Sequence, residues 1–70
     1  MNTKEKILQV SEQIVLEKGL SELRLSDIAF SIGISQAAIY KHFQNKNDIL
    51  SSLAWTWLEG ILADIWQYKP

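Results

Sequence analysis

The stretch LSDIAFSIGISQAAIYKHF, residues 25–43, holds the pattern on which the reading of this chain turns. Residues 25–32 read as a short helix, and Gly33 ends it. After the single apolar Ile34, Ser35 opens a second helix, because its hydroxyl can accept from the free amides of the next turn. Ile39 and Phe43 stand four apart, which puts them on one face of that second helix. Two short helices joined so closely must cross steeply, and the crossing then needs a small residue and a tight turn. Ala29 is small, and Gly33, four residues on, tolerates the positive φ that such a turn demands. Ile28, Ile34 and Ile39 are spaced to wedge between the two helices. The pattern reads as a helix-turn-helix, although an ordinary helical hairpin fits the same spacing.

With Ile39 and Phe43 inward, Gln36, Ala37, Tyr40 and Lys41 are left outward. A recognition helix sets its N-terminal residues against base edges in the major groove. A glutamine such as Gln36 can bond an adenine with both amide atoms. Ala37 lets the backbone come close, and the Tyr40 hydroxyl can reach a phosphate. Lys41, His42 and Lys46 are candidates for backbone phosphates, Lys41 also for a base. Lys46 opens a further helix, where free amides favour an anion. The plainer alternative is that Gln36 and Lys41 are solvated while Tyr40 and His42 cover the edge of the core. For His42 taken alone, that plainer account is the stronger.

Outward from this unit, the chain is helical in both directions. A first helix is expected over residues 3–18, capped by Asn2 or Thr3, with Glu5 three residues after Asn2 as in a capping box. Ile7, Leu8, Val10, Ser11, Ile14 and Val15 share one face and are core candidates. Leu16 falls on the opposite face. Gly19 is expected to supply a left-handed stop. Residues 21–24 form a connector, and Ser26 is a candidate cap for the second helix, with Asp27 well placed near its N-terminus. Phe43, Gln44 and Asn45 break the pattern. Asn45 then caps a fourth helix, with Asp48 as its box partner, over residues 46–68. No window alternates like a strand.

The run Ile34 to Phe43, with Lys46, Ile49 and Leu50 behind it, resembles the third-helix signature of TetR (tetracycline-repressor-like) family regulators. Ile7 and Leu8, Gly19, and Asp27-Ile28-Ala29 with Gly33 match the rest of that family's head at the expected spacing. The likeness covers about residues 3–53, and Tyr40-Lys41-His42-Phe43 is its most specific part. It implies an all-α fold: a three-helix, homeodomain-like helix-turn-helix head at 1–46, then a connecting helix at 47–70 that begins a ligand-binding and dimerisation domain. It further implies a cytoplasmic, homodimeric repressor that binds a palindromic double-stranded DNA operator and is released by a small-molecule inducer. Carried over by position, Ser35, Gln36, Ala37, Tyr40, Lys41, His42 and Lys46 would contact DNA, and Arg24 and Ser26 would touch phosphate or a flanking base. Three positions depart from the family pattern. Arg24 stands where a hydroxyl usually caps, so that helix is expected to start a residue or two later. Ala38 replaces a frequent threonine, and Val15 a frequent aromatic.

Composition bounds the alternatives. Seventy residues hold one domain. The net charge of −1 counts against phosphate binding. Its distribution answers the objection, because residues 28–47 contain no Asp or Glu while Lys41, His42 and Lys46 fall inside. Without cysteine there is no disulfide, thiolate metal site or thiol nucleophile. With one histidine, no glycine-rich phosphate loop and no converging carboxylate pair, neither an enzyme, a metal site nor a cofactor is expected. No signal peptide or bilayer span is expected either. The fourth helix is apolar nearly all round, and its polar strip holds only Ser52, Thr56, Glu59 and Gln67. Such a helix is covered on several sides. The expectation is that residues beyond this chain, or a partner, cover what the first three helices cannot. Trp55, Trp57 and Trp66 raise membrane-surface binding as an alternative, but Glu59 and Asp64 are the wrong sign for it. A protein-interaction module that docks through this helix is the remaining rival to the DNA-binding head.

Overall fold

The computed structural model describes residues 2–67. It contains four α-helices: α1 at Thr3–Lys18, α2 at Leu25–Ile32, α3 at Gln36–Tyr40 and α4 at Lys46–Gln67. No strand occurs among the described residues. A 3-10 turn at Leu20–Glu22 lies between α1 and α2, starting one residue before the stretch expected as a plain connector.

The helix starts follow from local chemistry. Asn2 caps α1 by accepting from the Glu5 amide at 2.8 Å. Ser35 caps α3 by accepting from the Ala38 amide at 3.1 Å. Asn45 caps α4 by accepting from the Asp48 amide at 2.9 Å. The Asp48 carboxylate reaches back to accept from the Gln44 amide, also at 2.9 Å. The box at α4 thus closes one residue earlier than the usual geometry, on the residue before the cap.

Two expectations at helix ends are corrected. Ser26 does not cap α2: the amides of Asp27 and Ile28 both donate to the Arg24 carbonyl, so Arg24 holds the cap position and Ser26 lies inside the first turn. The start is not delayed, but no side chain caps it, because a guanidinium has no acceptor to offer. Gly19 does have positive φ, 98°, but its ψ of 164° lies outside the left-handed helical region. It sits in an extended region that is essentially restricted to glycine.

Gly33 does take the left-handed conformation, with φ 85° and ψ 33°. The amides of Gly33 and Ile34 both return to the Ala29 carbonyl, at 2.9 and 3.0 Å. These bonds finish α2 and turn the chain within two residues, so that α3 crosses behind it. α3 is shorter than expected. After Tyr40 the amides of Lys41 and His42 bond three residues back, and the helix tightens into a turn.

The core joins every helix. Ile7 from α1, Leu23 from the connector, Ile28 and Ala29 from α2, Ile39 and Phe43 from α3 and its turn, and Ile49 and Leu53 from α4 are all buried. Each large side chain among them contributes about 1.5–3 kcal/mol by leaving water. Ser11 is buried too, and its hydroxyl donates to the Ile7 carbonyl at 2.6 Å. Leu8, Val10, Ile14 and Val15 of the expected α1 face are half-buried around this centre. Only the first turns of α4 take part. From Ala54 to Gln67 every residue is exposed, Trp66 at 81%. The molecule measures 49 × 24 × 19 Å, a three-helix head with α4 running out of it.

Candidate nucleic-acid interface

The short length of α3 decides what it can present. Of its five residues, Ile39 is fully buried and Ala38 half-buried, while Gln36, Ala37 and Tyr40 are exposed. Lys41 and His42 continue that face as exposed residues in the following turn, while Phe43 folds back into the core at 3% exposure. The sequence candidates Ser35, Gln36, Ala37, Tyr40, Lys41 and His42 are therefore all exposed, while Ile39 and Phe43 are buried. Tyr40 is 54% exposed, an aromatic ring left in water with its hydroxyl available. The Ser35 hydroxyl accepts from Ala38 and keeps its own proton to donate.

Lys46 lies across the Phe43–Asn45 break, half-buried at the start of α4. The amides there are less free than the sequence suggested, because Asn45 takes the Asp48 amide and the Asp48 carboxylate adds a negative charge. A phosphate at this point would rely on the Lys46 ammonium. Arg24 and Ser26 are exposed at the start of α2, which packs against α3.

One basic residue near this surface was not among the sequence candidates. The Lys4 ammonium, from the first turn of α1, lies 5.6 Å from the centre of the Phe43 ring. Such a contact at an exposed site is worth about 0.5–1 kcal/mol. A positive charge in the first turn of a helix opposes the helix dipole by about 0.3–1 kcal/mol. The two nearly cancel. The available signal in the sequence was that misplaced charge, but nothing local said which ring it would meet.

Other kinds of site find little support. Among the described residues no group of three His, Asp or Glu is placed to hold a metal. A shallow groove of about 210 Å³ runs along α4 between Ser51, Ala54, Trp55 and Leu58. It is smaller than the ~300–1,000 Å³ typical of ligand pockets. Among the described residues no helix is long and apolar enough to cross a membrane.

A capped helix of five residues, packed against α2 and presenting amide and hydroxyl side chains outward, with Lys41 in the turn that follows, defines a helix-turn-helix head built to meet duplex DNA. Comparison with known proteins extends this. Residues 7–53 match the family model of bacterial regulatory proteins of the tetR family. The chain is 43% identical over 51 residues to the HTH-type transcriptional repressor BepR of Brucella suis, covering 73% of this chain and 24% of that protein. It is 32% identical over 63 residues to the HTH-type transcriptional regulator AcrR of Shigella flexneri, covering 90% of this chain and 29% of that one. It is 33% identical over 51 residues to the HTH-type transcriptional regulator TtgR of Pseudomonas putida, covering 73% and 24%. The chain thus spans less than a third of the length of these curated relatives. No solved structure matches it. This chain belongs to the tetR family of bacterial regulatory proteins and carries that family's N-terminal DNA-binding domain.

Proposed function

We propose that this chain is the DNA-reading head of a homodimeric, cytoplasmic transcriptional repressor that acts by binding, without catalysis. In this reading α3 enters the major groove of a palindromic operator. Gln36 reads a base, with Ala37 close to the base edges. Ser35, Tyr40, Lys41, His42 and Lys46 contact the DNA through backbone phosphates, or in the case of Lys41 through a base, and Arg24 and Ser26 touch phosphate or a flanking base. Residues 1–46 serve as the head. Residues 47–70 form the connection to a further helical domain that dimerises and binds a small-molecule inducer. The observation that carries the reading is the outer surface of α3: polar, acid-free and exposed, over two fully packed residues. The repressor activity named for BepR supports the direction of regulation. The exposed apolar second half of α4 supports a further domain, since patches of this kind usually meet a partner surface.

Titration of two variants against duplex DNA tests the assignment. Lys46→Ala weakens binding to all sequences and lowers the salt dependence by about one phosphate's worth. Gln36→Ala relaxes preference at one base position, at a cost of about 1–3 kcal/mol there. An equal loss on every sequence for Gln36→Ala removes its reading role.

A further inference from the structure

Lys4 is 39 residues away from Phe43 in the chain, yet the fold sets its ammonium 5.6 Å from that ring. Phe43 closes the turn that follows α3, and its ring is 3% exposed. Lys4 itself is exposed, so its ammonium lies over the ring and still meets water. The contact does little for folding, because what the ring contributes the helix dipole largely takes back. The placement therefore calls for another account of the charge. The ring it meets belongs to Phe43, which follows Lys41 and His42 at the C-terminal end of the recognition surface. In docked heads of this architecture that end meets the sugar-phosphate backbone rather than the bases. Lys4 also adds a cation from α1 beside those that Lys41 and Lys46 supply.

We infer that Lys4 is a further DNA-binding residue, contacting a backbone phosphate beside the C-terminal end of α3, with the Phe43 ring as the platform under its ammonium. This rests on the DNA-binding reading above. Phosphate contact of this kind carries no sequence information. It adds affinity on every duplex and one released counterion, so the slope of log K against log salt changes by about 0.9 per contact.

The test measures the affinity of the full chain for a mixed-sequence duplex and for a selected operator, between about 50 and 200 mM salt. Four proteins are compared: wild type, Lys4→Met, Lys4→Arg and Lys46→Ala. Methionine keeps an unbranched apolar side chain and removes the charge, and a melting curve for each variant reports the fold. Lys4→Met should melt like wild type and lose affinity equally on both duplexes. Its loss should be about 3.5-fold larger at the low-salt end than at the high-salt end, the effect of one phosphate over a fourfold salt range. Lys4→Arg should retain both affinity and slope. A wild-type slope in Lys4→Met, alongside a reduced slope in Lys46→Ala, overturns the Lys4 contact and leaves the DNA-binding reading standing. Lost affinity with an unchanged slope also overturns it. Failure of the wild type to bind either duplex overturns both.

Discussion

Gly19 and Gly33 allow a clean separation of torsional cost from steric cost. A Cβ built at either position meets no heavy atom within 4 Å. Replacement by alanine therefore creates no clash, and the whole penalty lies in the backbone. At Gly33, with φ 85° and ψ 33°, an L-residue is held in the left-handed helical region, at a cost of about 1–2 kcal/mol. Alanine also restricts the unfolded chain, which returns about 0.4–1 kcal/mol. The net loss for Gly33→Ala is about 1 kcal/mol, or a fall in Tm of roughly 4–8 °C for a domain of this size. Asparagine enters the left-handed region more readily than other residues, so Gly33→Asn should cost less. Gly33→Val should cost most, since a β-branched residue at positive φ is a true outlier. At Gly19, with φ 98° and ψ 164°, the conformation is closed to nearly every residue but glycine. Gly19→Ala should therefore exceed Gly33→Ala and approach about 2–3 kcal/mol. A chain of this length has a total stability of about 3.5–10 kcal/mol. Each alanine variant stays folded, and Gly33→Val approaches the lower limit. Thermal melts followed by circular dichroism decide the matter. Equal melting of wild type, Gly33→Ala and Gly33→Val would refute the turn geometry. A more stable Gly33→Ala than Gly33→Asn would show that space, not torsion, governs the site.

The other expectations concern the core and the caps. Leu23→Ala should cost about 2–5 kcal/mol by denaturant unfolding, as a buried leucine does, although it lies in a connector only 1% exposed. A loss below about 1 kcal/mol, usual for an exposed loop residue, would contradict its place in the core. Ser11→Ala should be neutral or stabilising by up to about 0.5 kcal/mol, because alanine is the better helix former and the hydroxyl bonds only within its own helix. Clear destabilisation would mean that the hydroxyl has a partner elsewhere. Ser35→Ala should cost about 1 kcal/mol of stability through the lost cap at α3. Restoration by Ser35→Asp but not by Ser35→Val in the same unfolding assay would confirm capping as the cause.

Much of this architecture was legible because it follows local rules. Gly33, Ser35 and Asn45 each meet a requirement set by residues within five positions, and the turn and the two caps formed as those rules demand. The α1 face was legible from its period, down to the buried Ser11. The misses are non-local or lie where a local rule meets an exception. Leu23 stands alone in the connector, just after the Leu20–Glu22 turn, where no period marks it, and only the packing of the helices makes it core. Arg24 holds a cap position it cannot satisfy, and Ser26, two residues too late, could not take its place. The surface of α3 was readable once Ile39 and Phe43 were assigned inward. Lys4 was not, because its approach to Phe43 joins residues 39 positions apart, which no local rule relates.

The central claim is that α3 reads DNA as one half of a symmetric pair, and selection from random duplex DNA tests it most directly. The full-length protein carrying this head is incubated with the pool, and bound duplexes are recovered and sequenced. The account predicts an enriched palindrome with half-sites one helical turn, or a multiple of it, apart, and loss of preference at one position of each half-site in Gln36→Ala. Recovery of the pool without enrichment, or an enriched site unaffected by substitution across Gln36, Tyr40 and Lys41, would contradict it.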